Sequence, residues 1–185
     1  MLLEREKLYT AEEFFEFAAL PENENRRLEL DDGVIVDMAS STPINTVTAG
    51  RILHFLNAFV IPRDLGYVTG ADGGFKLAEK RVRQPDVGFI SKARIGKLPK
   101  RFNLAPDLAV EVVSPDEDIF KKAREYFQAG TQLVWAVYTD ERVVYVMTPQ
   151  EDGALLSVPF DENAVLDGGT VLPGFALPVR AIFPQ

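Results

Sequence analysis

The chain has no cysteine and a single histidine, His54. Without thiols there is no disulfide, no thiolate nucleophile and no cysteine-ligated zinc. A reducing cytoplasm suits that composition, and a cytoplasmic location is the expectation. A Ser-His-Asp hydrolase would have to rest on His54, and no Gly-x-Ser-x-Gly turn accompanies it. His54 reads instead as a surface or packing residue of a helix. No apolar run approaches the ~20 residues of a membrane span. The opening "MLLEREKLYT" has no signal-peptide core, so no membrane partner is expected. Repeats, low-complexity tracts and linkers are missing too. The 185 residues therefore read as one domain, 1–185, with enough chain to bury a single good core.

Positive charge is also short, with 20 basic against 28 acidic residues and a net charge of −8. That balance argues against indiscriminate binding of nucleic acid, which rests on neutralised phosphates. Its distribution is uneven. Residues 76–101 carry nine basic side chains (Lys76, Lys80, Arg81, Arg83, Lys92, Arg94, Lys97, Lys100 and Arg101) against Glu79 and Asp86. This surplus of seven leaves −15 on the remainder. Two readings stay open: a solvated lysine-rich loop, or cations lining the approach of a polyanion.

Local signals define the elements. "YTAEEFFEFAAL" sets Thr10 three residues before Glu13, a capping box, and Pro21 closes the short helix. "RRLELDDGVIVDM" reads as two strands about an Asp-Gly turn. "STPINTVTAGRILHFLNAFVIP" begins with Thr42 as cap and Pro43 at the first helical position. Ile44, Val47, Ile52, Phe55, Leu56 and Phe59 then recur at helical spacing. Strands are expected near 66–78, 84–91 and 107–113. Ser114, Pro115 and Glu117 suggest a second capped helix that starts at 114–117 and runs to Ala129, with Gly130 as its stop. "QLVWAVYT" and "VVYVMT" follow as strands, and the tail "TVLPGFALPVRAIF" suits an edge strand. This order describes a mixed α/β sheet.

Two carboxylates interrupt apolar strands. Asp86 lies in "VRQPDVGFI", and Glu111 in "PDLAVEVVSPDED". Runs with Val, Ile and Phe on both faces are buried on both sides, and buried Asp or Glu is rare unless paired or bound to metal. On neighbouring strands, such hard oxygen ligands suit Mg²⁺ or Mn²⁺. A backbone carbonyl such as that of Val112 adds a further ligand. Metal-assisted phosphodiester hydrolysis is a natural task for the pair. On the following helix Lys122 flanks the apolar stripe, whereas Lys121 points away. Lys122 is thus the cation able to look back along the sheet. Asp86 has a plainer reading as a strand-opening aspartate bonded to backbone amides, and Glu29 as a cross-strand partner of Arg26 or Arg27. Asp107 is expected to open its strand, Asp116 to favour a helix N-terminus, and Trp135 to belong to the core.

Five blocks in order, "QPDVGFI", "PDLAVEVVSP", "KAREYFQAG", "LVWAVY" and "VLPGFALPV", together with "RLELDDGVIVDMA", resemble the PD-(D/E)XK nuclease superfamily. Within it they resemble the Uma-type "putative restriction endonuclease" family, a bacterial domain of unknown function. The resemblance covers nearly the whole chain. It implies a restriction-endonuclease-like α/β fold, a mixed β-sheet flanked by helices, here with an extra N-terminal helix and hairpin. It also implies Mg²⁺-dependent (or Mn²⁺-dependent) cleavage of DNA, with the metal on Asp86 and Glu111. The motif lysine is moved from the position of Val113 to Lys122, and Glu29 matches a further acidic position. Where the family shows histidine at the start of the long helix, this chain has Asn45, which can hydrogen-bond a phosphate or water but cannot take a proton. Between Ser114 and Lys122 the chain is about one helical turn short of the family pattern. Cutting both strands of a duplex favours a homodimer. Two rivals remain: a non-catalytic nucleic-acid or protein-binding module on the same fold, and a phosphodiesterase acting on small molecules.

Overall fold

The computed structural model describes residues 7–115 and 117–185. It opens with α1 (Ala11–Ala18), whose capping box closes as expected: Thr10 Oγ1 accepts from the Glu13 N–H, and Glu13 from the Thr10 N–H. Strands β1 (Leu28–Asp31) and β2 (Val34–Asp37) form a hairpin. Asp32 and Gly33 both take positive φ, 48° and 90°, as the two-residue turn matching strand twist requires. Then come α2 (Pro43–Val60), β3 (Gly66–Thr69), β4 (Phe75–Ala78), β5 (Arg81–Arg83), β6 (Val87–Ser91) and the single turn α3 (Lys92–Ile95). The second half holds β7 (Leu108–Val112), α4 (Ile119–Gln128), β8 (Leu133–Tyr138), β9 (Val143–Pro149), β10 (Leu155–Phe160), β11 (Val165–Gly168) and β12 (Leu172–Pro178).

The central sheet has six strands in the order β10-β9-β8-β7-β6-β3. Within it β7 and β8 run parallel, and α4 makes the crossover that a parallel pair needs. A smaller antiparallel sheet, β2-β1-β5-β4, stands beside it, and β11 and β12 form a hairpin of their own. The main core lies between the central sheet, α2 and that hairpin, with Ile52, Leu56, Trp135, Val137 and Phe175 among its members. On the opposite face α4 presents Ile119, Ala123 and Tyr126 to Ala109, Val134 and Ala136. With both faces covered, β7 is buried along its whole length.

Several expectations need correction. The 66–78 segment is two strands belonging to different sheets, and β5 is an additional strand that no sequence signal marks. The tail pairs with β11, so β10 and β3 are the edges of the central sheet. The second helix begins at Ile119, capped by Asp118 through the Lys121 N–H at 3.0 Å. Ser114 and Glu117 instead close a turn ahead of it, since Glu117 N–H donates to the Ser114 carbonyl. Asp116, read as favouring a helix start, lies outside the described residues. On α2 the buried face is Asn45, Thr48, Ile52, Leu56 and Val60, while Ile44 and Val47 are exposed. With its following turn, Pro43–Arg63, this helix is by length and composition alone able to span a membrane. In the fold its Ile52–Leu56–Val60 stripe belongs to the core.

Candidate active site

The alternation of β7 decides where Glu111 points. Leu108, Val110 and Val112 enter the core shared with α2, so Ala109 and Glu111 face α4. From α4, Lys122 and Tyr126, one turn apart on one face, return to Glu111. Tyr126 Oη donates to Glu111 Oε1 at 2.7 Å, and Lys122 Nζ lies 3.4 Å from Oε2. Glu111 is 1% exposed. Burial pushes its carboxyl up to about 8; the Lys122 ammonium opposes that shift without cancelling it, and Glu117, Asp86 and Glu29 reinforce it.

Asp86 sits at the bend between β5 and β6. Val87 pairs with Val110 across antiparallel strands, so the next facing pair outward is Asp86 and Glu111. The two strands expected to carry them, β6 and β7, are neighbours, but Asp86 stands one residue before β6 rather than within it. Asp86 Oδ2 accepts the Val112 N–H at 2.8 Å, and Oδ1 accepts from Arg27 Nη2 at 3.0 Å. The backbone-bonded reading of Asp86 is therefore also realised, alongside its place at the site.

Glu29, on β1, is 1% exposed. It takes neither of the partners expected for it. Arg26 pairs with Asp37 and Arg27 with Asp86, whereas Glu29 accepts from Arg83 at 3.1 Å and from the Gln84 N–H at 2.9 Å. Lys122 is 8% exposed and has carboxylates on three sides: Glu117 at 2.5 Å, Glu111 at 3.4 Å and Glu29 at 3.9 Å. Burial alone would lower its pKa; the three acids outweigh that and raise it, so the ammonium stays charged. Arg83 behaves alike. Burial acts against its charge, and Glu29, Glu125 and Asp31 more than compensate.

All four side chains singled out in the sequence, Asp86, Glu111, Lys122 and Glu29, line one cavity of about 360 Å³, as does Val112. Among the described residues, six carboxylates border it (Glu29, Asp31, Asp86, Glu111, Glu117, Asp118) against four cations (Arg27, Arg83, Lys121, Lys122). Fully ionised, these groups carry two surplus negative charges, and one while the raised pKa of Glu111 keeps it protonated. Among the described residues no three His, Asp or Glu side chains converge to hold an ion alone. Mg²⁺ does not need three, because it binds through one or two carboxylates and fills its octahedron with water and phosphate oxygens. The donor set, two carboxylates of which one is buried and short of cation, fits such an ion.

Sequence reasoning misses Glu117, read there only as a cap, and the roles of Tyr126, Arg83 and Arg27. Tyr126 carries a signal, standing four residues after Lys122. Asn45 faces a neighbouring cavity and accepts from Thr139 Oγ1 at 2.9 Å. Asp107 precedes β7 and accepts from the Ser91 N–H, Arg94 and Gln132. His54 is exposed and Trp135 fully buried. Of the nine cations in 76–101, five hold carboxylates: Lys76 with Glu12, Arg81 with Asp32, Arg83 with Glu29, Lys92 with Asp64 and Arg94 with Asp107. Among the described residues, Lys80, Lys97, Lys100 and Arg101 have no carboxylate partner, and Arg101 lies over the Phe15 ring.

A family model described as "Uma2: Putative restriction endonuclease" matches residues 11–180. Among solved structures, a "putative nuclease belonging to DUF820" from Anabaena variabilis superposes with a TM-score of 0.80 at 22% identity. The match covers 95% of this chain and 97% of that one, and it shows a shared fold. None of the curated proteins matches the chain.

Proposed function

Because the chain belongs to the Uma2 family, we propose that it is a metal-dependent DNA endonuclease hydrolysing phosphodiester bonds at the cavity around Lys122. One observation carries the reading: Asp86 and Glu111, at the adjoining ends of β6 and β7, line one cavity together with a buried lysine. Asp86, Glu111 and the Val112 carbonyl would hold Mg²⁺ or Mn²⁺. Once bound, the ion supplies a Lewis acid for the phosphate and acidifies water.

The protein's own groups set the stage for that chemistry. Lys122 keeps a fixed positive charge beside Glu111 at the wall of the cavity that a phosphate would enter. Glu29 and Glu117 hold the ammonium in place from either side. Tyr126 orients Glu111 by donating to Oε1, which leaves Oε2 toward Lys122. Hydrolysis forms a P–O bond from water and breaks the P–O bond to one ester oxygen; the water gives its proton to a neighbouring base or to solvent, and the departing oxygen takes one up as an alcohol.

The test is cleavage of supercoiled plasmid in Mg²⁺ or Mn²⁺ by the wild type, by Asp86→Asn and by Lys122→Met. Cutting that stops on chelation and is lost in both variants is the expected result. DNA binding without cutting in any metal would favour a non-catalytic module. Turnover of a small phosphodiester unaffected by added duplex would favour a nucleotide phosphodiesterase.

A further inference from the structure

Arg27 is bound differently from the other buried cations of the cavity. Arg83 and Lys122 are each surrounded by three carboxylates. Arg27 has one, Asp86, and its second contact is the Gln84 carbonyl at 2.9 Å. Both bonds use the same nitrogen, Nη2. The Nε–H is buried and, among the described residues, has no partner. A buried charged donor left unsatisfied is costly; this one is shut off from the cavity as Arg27 now sits, so it can meet a ligand only if the guanidinium moves. The Arg27 side chain is 21% exposed, against 5% for Arg83 and 10% for Lys122, so its fork is the more accessible from solution.

The contact on Asp86 matters as much. Asp86 Oδ2 is committed to the Val112 N–H. Oδ1 is then the oxygen left for a metal, and Arg27 stands on it. Two cations on one carboxylate oxygen repel, and in a partly buried site the repulsion is weakly screened. A guanidinium displaced from Oδ1 keeps its tether at Gln84 and presents a planar fork with an idle Nε–H, the geometry that grips phosphate through two parallel hydrogen bonds.

We propose that Arg27 occupies the metal face of Asp86 in the cation-free protein and moves to a backbone phosphate of the nucleic acid when a divalent cation takes Oδ1. Arg27 thus acts twice, as a competitor of the metal and as a clamp on the substrate. This rests on the function proposed above, and the experiment separates the two.

The experiment uses the full chain and two variants. Arg27→Ala removes the side chain, and Arg27→Gln removes the charge while keeping a donor for the Gln84 carbonyl. Mn²⁺ affinity is measured by titration calorimetry without DNA. Affinity for a short labelled duplex is measured in Ca²⁺, a hard cation taken by the same oxygen ligands, across a salt series. Both variants should bind Mn²⁺ about tenfold more tightly, equivalent to about 1.4 kcal/mol, and the duplex about tenfold more weakly. The salt slope should flatten by about 0.9, the value of one neutralised phosphate. A purely structural role for Arg27 would move both affinities downward together. Mn²⁺ affinity unchanged or weakened in Arg27→Gln, or an unchanged salt slope, overturns the proposal while leaving the metal site standing. If neither the wild type nor Arg27→Gln binds Mn²⁺, the metal site itself fails and the inference falls with it.

Discussion

Replacing Glu111 by glutamine should make the metal-free protein more stable, and by an amount that depends on pH in a defined direction. Glu111 is completely buried, and its pKa rises from an ordinary 4.5 to about 8, first because burial disfavours the charged form. In the unfolded chain it titrates near the ordinary value. The folded protein therefore binds more protons than the unfolded one between these two values, and stability falls as pH rises through that window. The contribution of a neutral Glu111 is fully present below pH 4.5 and is gone above about 8. One pKa unit is about 1.4 kcal/mol, so the whole effect is on the order of 5 kcal/mol. Glutamine is neutral throughout. Its carbonyl can still accept from Tyr126, and Lys122 keeps Glu117 and Glu29.

The difference in unfolding free energy between Glu111→Gln and wild type, from urea titrations in chelator, should thus be near zero at pH 4.5. It should grow to a few kcal/mol in favour of glutamine by pH 8.5. Added Mn²⁺ at the higher pH should raise the stability of the wild type and not that of the variant, because a ligand stabilises only the state that binds it. A difference that stays flat from pH 4.5 to 8.5 would refute the reasoning: Glu111 would then be fully paired by Lys122 and the cavity would have no unmet demand for a cation.

The opposite effect is expected at Arg83, where Arg83→Met leaves Glu29, Asp31 and Glu125 without their shared cation; breaking a buried pair costs roughly 3–5 kcal/mol, read by chemical denaturation at pH 7. Asp86→Asn should leave the fold intact and abolish Mn²⁺ binding by calorimetry, and undiminished binding would remove Asp86 from the metal. The triple change of Lys97, Lys100 and Arg101 to alanine should weaken duplex binding and flatten its salt dependence by about 0.9 for each phosphate no longer neutralised, with Mn²⁺ affinity unchanged. In light scattering the mass should be that of two chains when a cognate duplex is present, and a single-chain mass with DNA would count against paired cutting.

How much of this is legible in the sequence depends on how local each signal is. The capping box at Thr10, the Asp32-Gly33 turn and the start of α2 at Thr42-Pro43 need only adjacent residues, and they form as read. The start of α4 is misread because two caps compete within five residues. Ser114-Pro115 has the stronger pattern, yet the Ser114–Glu117 turn and Asp118 take over once the chain leaves β7. On α2 the apolar spacing points to Ile44 and Val47. The first turn instead buries Asn45 and Thr48, because Asn45 meets Thr139 at the end of β8, and such a partner cannot be seen from within the helix. Strand β5 is three residues with two arginines, a composition with no apolar period to detect.

The candidate site divides along the same line. A carboxylate inside an apolar run is visible in one dimension, since its neighbours announce burial and burial without a partner is costly. That logic reaches Asp86 and Glu111 and, through helical phase, Lys122, although the same phase sent Lys121 away and it too lines the cavity, paired with Asp31. The partners belong to the third dimension. Arg83 comes from β5, Arg27 from the approach to β1, and Glu117 from the turn before α4; each is an ordinary surface residue in sequence, since charged groups usually are. The fold brings them together because the β1–β5 pairing sets the small sheet against the end of β7, where the bend before β6 already exposes Asp86. Among the described residues, carboxylates still outnumber cations at this junction by two. Asp118 at the rim is exposed and caps α4, so the uncompensated demand falls on the buried Glu111, where an ionised group is a cost. The divalent cation of the proposed function would offset that cost.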